Sequence, residues 1–135
     1  MMRGDSRNGL RKALLLDAGA SAGMGAMLAA LAGPLEGVLG LPDALLRGAG
    51  LALLPFAASL AYLATRPHPG RGATGAVVAV NALWVADSLI LLMAGWVSPT
   101  PLGTAFVLAQ AAVVALFAVL QYRAIPPARQ LAEAR

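Results

Sequence analysis

Two aspartates, Asp17 and Asp87, stand inside long apolar stretches of this 135-residue chain. A carboxyl group can exchange a proton or bind a cation, and its placement in hydrocarbon is costly, so each aspartate is a candidate site. The chain has no cysteine, which excludes thiolate chemistry and cysteine-bound metals. Its only histidine, His68, stands between prolines in a predicted loop, so we expect neither haem nor any other metal or cofactor.

Several uncharged polar residues lie at similar depths in the predicted spans. At a rise of about 1.5 Å per residue, Asp17 lies roughly 9 Å and Asp87 roughly 18 Å from the same membrane boundary. The sequence therefore predicts two stacked polar layers within the membrane. One layer contains Asp17, Asn81 and Ser59, the other contains Asp87 and Gln110, and Trp84 lies between them.

Helical spacing places these polar residues on stripes that we expect to face the bundle interior. The stripes are Asp17, Ser21, Met24 and Leu28 on the first span, Asn81, Trp84 and Ser88 on the third, and Gly103, Phe106, Gln110, Phe117 and Gln121 on the fourth. Arg47, near the opposite boundary, is a candidate ion-pair partner for Asp87, or its side chain extends to the lipid headgroups.

The polar layers have two interpretations. In the first, buried amides and carboxyls hydrogen-bond across helices and set their packing, and Asp87, kept neutral by burial, acts as a donor. In the second, Asp17 and Asp87 exchange protons or bind a cation in a small transporter, which requires a water-accessible cavity reaching at least one of them. The chain lacks a histidine cluster, a paired-carboxylate motif and a phosphate loop, so we do not expect an enzyme.

Four apolar stretches must position these residues, at about 11–32, 44–65, 75–96 and 102–123. Each has the roughly 20 apolar residues that a membrane-spanning helix needs. Hydrophobic residues make up 59% of the chain and charged residues only 12%, whereas soluble domains carry about 25% charged residues. The sequence predicts an all-α transmembrane four-helix bundle, a single membrane domain over residues 1–135 with short tails at 1–10 and 124–135. All prolines but Pro55 fall outside these spans.

Charge distribution predicts the orientation of the bundle. Of the ten lysines and arginines, all but Arg47 fall on the side that carries both termini. Because basic residues concentrate in cytoplasmic segments, both termini are expected in the cytoplasm, in a bacterial inner membrane. The basic residues would then contact lipid headgroups and not nucleic acid. Ala30-Leu31-Ala32 resembles a signal-peptide cleavage site, but the apolar run before it exceeds a usual signal peptide and carries Asp17.

Small residues on the first span form a candidate packing surface. Gly19 and Gly23 make a GxxxG motif, and Gly25 extends the pattern of small residues. Such surfaces let helix backbones approach closely. The pattern suits either packing within the chain or a homo-oligomer, and another membrane protein is a further candidate partner.

The segments 81–88 (NALWVADS), 95–100 (GWVSPT) and Gln121-Tyr122 resemble those of small four-span bacterial integral membrane proteins without an assigned activity. The resemblance covers most of the chain and implies an inner-membrane location, with no catalytic residues. In size and span count the chain is also similar to small multidrug transporters. The first span lacks their membrane-embedded glutamate and carries Asp17 nearer the inner boundary, so that function is not carried over. The leading expectation is a non-catalytic structural or accessory protein, and the alternative is a small proton- or cation-coupled transporter.

Overall fold

The computed structural model describes residues 2–125, and side chains from residue 8 onward. It contains helices α1 (Met2–Leu39), α2 (Asp43–Thr65), α3 (Arg71–Met93) and α4 (Pro101–Ala124). All four are long and apolar enough to cross a membrane, α1 through its segment Asn8–Leu39. The predicted all-α architecture with four spanning helices is confirmed. We call the end where α1 begins and α4 ends the termini end, and the end with the α1–α2 and α3–α4 loops the far end.

Helix α1 is longer than the predicted first span. It begins at Met2, so the described part of the predicted tail, residues 2–10, is helical and continuous with the first span. It also continues past Pro34, which the sequence had placed in a connection. Proline has no amide hydrogen and its ring crowds the carbonyl four residues earlier, here that of Ala30. Leu31 accordingly leaves helical geometry (φ −113°, ψ 18°), and α1 is kinked there.

The later helices also differ from the predicted bounds. Helix α3 begins at Arg71 and ends at Met93, so Trp96 lies in the α3–α4 loop, where it is 74% exposed. Most of the predicted C-terminal tail, residues 126–135, lies outside the described part of the chain.

The helices pack in the order α2, α1, α4, α3. Helix α1 contacts both α2 and α4, and α3 contacts α4, whereas α2 and α3 share no comparable interface. Helices α1 and α2 approach each other closely at Gly25 and Gly50. A Cβ added to Gly50 would lie 2.5 Å from the backbone nitrogen of Ala29 and 2.6 Å from the carbonyl oxygen of Gly25. These two glycines therefore allow direct contact between the backbones.

The two halves of the bundle are packed differently. At the termini end, a cluster of buried side chains fills the interior and includes residues of α2 and α3. Its members are Leu10, Leu14, Ala18, Leu60, Leu63, Ala64 and Val77. In the far half, a second buried cluster is built mainly from α1, the α1–α2 loop, α2 and Val107. Buried side chains of α2 and α3 thus belong to one cluster at the termini end, while the space between these helices in the far half contains a cavity.

One threonine ties the two far-end loops together. The Thr100 hydroxyl accepts a hydrogen bond from the Gly103 amide (3.0 Å) and donates one to the Val38 carbonyl (2.8 Å). The Thr100 amide donates to the Leu39 carbonyl (3.0 Å). Gly103 packs directly against Leu39, where an added Cβ would overlap its carbonyl oxygen. The start of α4 is therefore held against the end of α1.

Candidate functional site

The Asp17 carboxylate is the centre of a buried polar cluster that joins three helices. Asp17 is only 2% exposed. Its Oδ2 accepts hydrogen bonds from Asn81 Nδ2 of α3 (2.8 Å) and Gln121 Nε2 of α4 (2.7 Å), and its Oδ1 accepts one from Ser21 Oγ (3.0 Å). Asn81 Nδ2 also donates to Gln121 Oε1 (2.9 Å). We call Asp17, Ser21, Asn81 and Gln121 the Asp17 cluster.

This cluster lacks one member of the predicted layer, Ser59, and includes two others, Ser21 and Gln121. The structure brings Asp17 and Asn81 together, but the inclusion of Ser59 is wrong, because Ser59 is exposed and donates to the Pro55 carbonyl of its own helix (2.9 Å). The buried positions of α2, such as Ala57 and Leu60, define a stripe on which Ser59 does not lie. A serine hydroxyl can donate its hydrogen bond to a backbone carbonyl of its own helix and then needs no partner on another helix.

Gln121 is the member that the depth argument missed. Counted from the predicted end of the fourth span, it lies several ångströms nearer the boundary than Asp17. Helix α4 is only one residue longer at each end than predicted, so it is the length of the glutamine side chain that lets it reach Asp17. The sequence indicates its inward position in another way, because helical spacing places Gln121 on the same face of α4 as Gln110. Gln121 is fully buried.

A second polar cluster links α3 and α4 nearer the far end. Trp84 Nε1 donates to Gln110 Oε1 (2.6 Å), and Gln110 Nε2 donates to Ser88 Oγ (2.9 Å) and to the Val107 carbonyl (2.8 Å). Ser88 Oγ in turn donates to the Trp84 carbonyl (2.7 Å). We call Trp84, Ser88 and Gln110 the Gln110 cluster. Trp84 is thus a hydrogen-bonding member of the cluster as well as a packing residue.

Asp87 is outside both clusters. Its side chain is exposed, and within residues 8–125 no hydrogen bond or ion pair engages its carboxylate. The predicted pairing with Gln110 is therefore wrong. Consecutive helical residues point about 100° apart, and Ser88 occupies the position that faces Gln110. Arg47 is not a partner of Asp87 either, since it pairs with Asp43 on its own helix (3.0 Å).

Two cavities adjoin these clusters. The far cavity, of about 550 Å³, lies between α2 and α3, and Asp87 lines it. The middle cavity, of about 260 Å³, lies nearer the termini end, and Asp17 lines it. Four residues line both cavities: Met24, Trp84, Phe106 and Gln110. The Trp84–Gln110 hydrogen bond therefore lies between the far cavity, which Asp87 lines, and the middle cavity, which Asp17 lines.

The three glycines of the predicted packing surface have different surroundings. Gly25 is buried against Gly50 and Leu53, whereas an added Cβ on Gly19 or Gly23 would meet no atom within 4 Å. The GxxxG face is thus exposed on the outside of α1 and takes no part in packing within the chain. Its use in a homo-oligomer stays a prediction. Among the described residues, no group of three histidine, cysteine, aspartate or glutamate side chains could hold a metal ion.

No protein family, no curated protein and no solved structure matches this chain.

Proposed function

We propose that this multi-pass membrane protein has a non-catalytic, structural or accessory role. The observation that carries the proposal is the Asp17 cluster. Both oxygens of this buried carboxylate are engaged by donors from α1, α3 and α4. Hydrogen bonds between membrane helices fix how the helices pack, and a side chain held by three donors is suited to that task. We further propose, from the charge distribution, a bacterial inner membrane as its location.

The proposed orientation places the termini end in the cytoplasm. The described basic residues of that end include Arg11, Lys12, Arg66, Arg71 and Arg123, whereas the far end has only Arg47. Because Lys and Arg are retained on the cytoplasmic side of bacterial membranes, this asymmetry supports an N-in, C-in arrangement.

Labelling of single introduced cysteines tests this orientation. The chain contains no cysteine of its own, so no other residue contributes to the labelling. His68 in the α2–α3 loop and Ser98 in the α3–α4 loop are both exposed. In intact bacterial cells we expect a membrane-impermeant maleimide to label Ser98→Cys and not His68→Cys. After cells are opened, both should be labelled, which controls for the reactivity of each site. Labelling of His68→Cys alone in intact cells would reverse the proposed orientation.

A second function, proton- or cation-coupled transport, is favoured by one specific observation. Each intramembrane carboxylate lines a cavity, and the two cavities adjoin at Trp84 and Gln110. A transporter needs such access to its ionisable groups. Transport would further require that the Trp84–Gln110 bond and the packed cluster at the termini end open in turn.

Proton movement separates the two functions. We expect vesicles that contain the purified protein and a trapped pH-sensitive dye to show, under a sodium or potassium gradient, the same proton flux as empty vesicles. Asp17→Asn and Asp87→Asn should not change it. A flux above that of empty vesicles that either substitution abolishes would overturn the structural role and establish coupled transport.

A further inference from the structure

We propose that the far cavity binds an amphipathic organic cation, whose charge pairs with Asp87 and whose apolar groups fill the space between α2 and α3. The inference does not depend on transport, since binding alone would satisfy it. It rests on the composition of the cavity, on the charge of the far end, and on the missing interface between α2 and α3.

The far cavity combines apolar walls with a single carboxylate. Its volume of about 550 Å³ is within the range of about 300–1,000 Å³ that is typical of small-molecule sites. Leu46, Phe106 and Trp96 contribute apolar and aromatic surface. The exposed carboxylate of Asp87 has no partner among the described residues. Such a surface favours a ligand that is mostly apolar and carries one positive charge, which aromatic faces also attract.

The charges around the cavity favour a cation over an anion. The described far end carries the carboxylates of Glu36, Asp43 and Asp87 and one basic side chain, Arg47. Arg47 is already paired with Asp43. An anion in the cavity would face the Asp87 carboxylate with no basic side chain lining the space. A positive ligand is therefore attracted both at long range and at the site itself.

The helix packing explains how a ligand could enter. Helices α2 and α3 share no substantial interface, and the cavity is lined by Leu45, Leu46 and Ala49 on one side and by Asp87, Ile90 and Leu91 on the other. The buried cluster that includes residues of both helices lies at the termini end. An amphipathic molecule can thus reach Asp87 from the far surface or from the adjoining half of the bilayer.

Tryptophan fluorescence tests the proposal directly, since the only two tryptophans, Trp84 and Trp96, both line the cavity. Tetraphenylphosphonium and tetraphenylborate are probes of nearly the same shape and opposite charge. In uncharged detergent micelles at neutral pH, we expect saturable quenching by the phosphonium and none by the borate. Asp87→Asn should weaken phosphonium binding about tenfold through loss of the ion pair.

Matched variants keep the test specific. Asp43→Asn removes a carboxylate of the same end outside the cavity and should leave binding unchanged. Ala49→Phe fills the cavity and should abolish binding, whereas Ala52→Phe, on an exposed position outside it, should not. Circular dichroism establishes that each variant is folded. Equal saturable quenching by both ions, or unchanged phosphonium binding in Asp87→Asn, would overturn the proposal and indicate a gap filled by neutral chains such as those of lipid.

Discussion

Replacing Gly50 with alanine should destabilise the protein by about 1–3 kcal/mol, the usual effect of overpacking a close contact. The added methyl group would lie 2.5 Å from the Ala29 nitrogen and 2.6 Å from the Gly25 carbonyl oxygen. Both atoms belong to the backbone of α1, so the clash cannot be relieved by a side-chain rotation. Helices α1 and α2 would have to move apart, with loss of contacts along this interface. The free energy of unfolding, measured by titration with a denaturing detergent, reports the effect.

Gly48 provides a matched control on the same helix. An added Cβ there meets no atom within 4 Å. Because alanine is a better helix former than glycine, Gly48→Ala should stabilise α2 by about 0.5–1 kcal/mol. The two substitutions make the same chemical change two residues apart and should have opposite signs. If both variants were stabilised, the close α1–α2 contact at Gly50 would be incorrect.

Removal of the Asp17 carboxylate should cause the other large loss. Asp17→Ala leaves the donors of Ser21 and Gln121 without an acceptor, and Asn81 Nδ2 keeps only its bond to Gln121 Oε1. Hydrogen bonds between membrane helices contribute up to about 1.7 kcal/mol each and usually less. Since unpaired buried donors add a further penalty, we expect a total loss of about 2–3 kcal/mol. The same unfolding titration measures it.

Asp87 supplies the comparison for this experiment. Asp87→Ala removes an exposed carboxylate and should change the unfolding free energy by less than about 0.5 kcal/mol. In double-mutant cycles, Asp17→Ala should couple to Gln121→Ala by about 1 kcal/mol and show no coupling to Gln110→Ala. Equal effects of Asp17→Ala and Asp87→Ala would contradict the different surroundings that the structure assigns to the two carboxylates.

Several features of the candidate site could be predicted from helical periodicity. Asp17, Ser21, Asn81, Ser88 and Gln121 were placed on inward stripes and are buried. Spacing along a helix defines its faces, and the polar members of an otherwise apolar span identify the face that avoids lipid. The pairing of faces across helices was less predictable. Depth counted along straight helices ignores kinks, tilts and the reach of each side chain, which is why Ser59 was included and Gln121 left out.

The sequence by itself determined that the chain forms four helices long and apolar enough to span a membrane, and it determined the inward faces of three of them. These properties depend on the composition and spacing of neighbouring residues along one chain segment. Only the tertiary structure decided that Asp17 is enclosed by donors while Asp87 lies exposed in a cavity, and that Gly25 is used in packing while Gly19 and Gly23 are not. These outcomes depend on the rotation and separation of whole helices. Contacts between distant residues set them, such as those of Gly50 with Ala29 and of Thr100 with Val38.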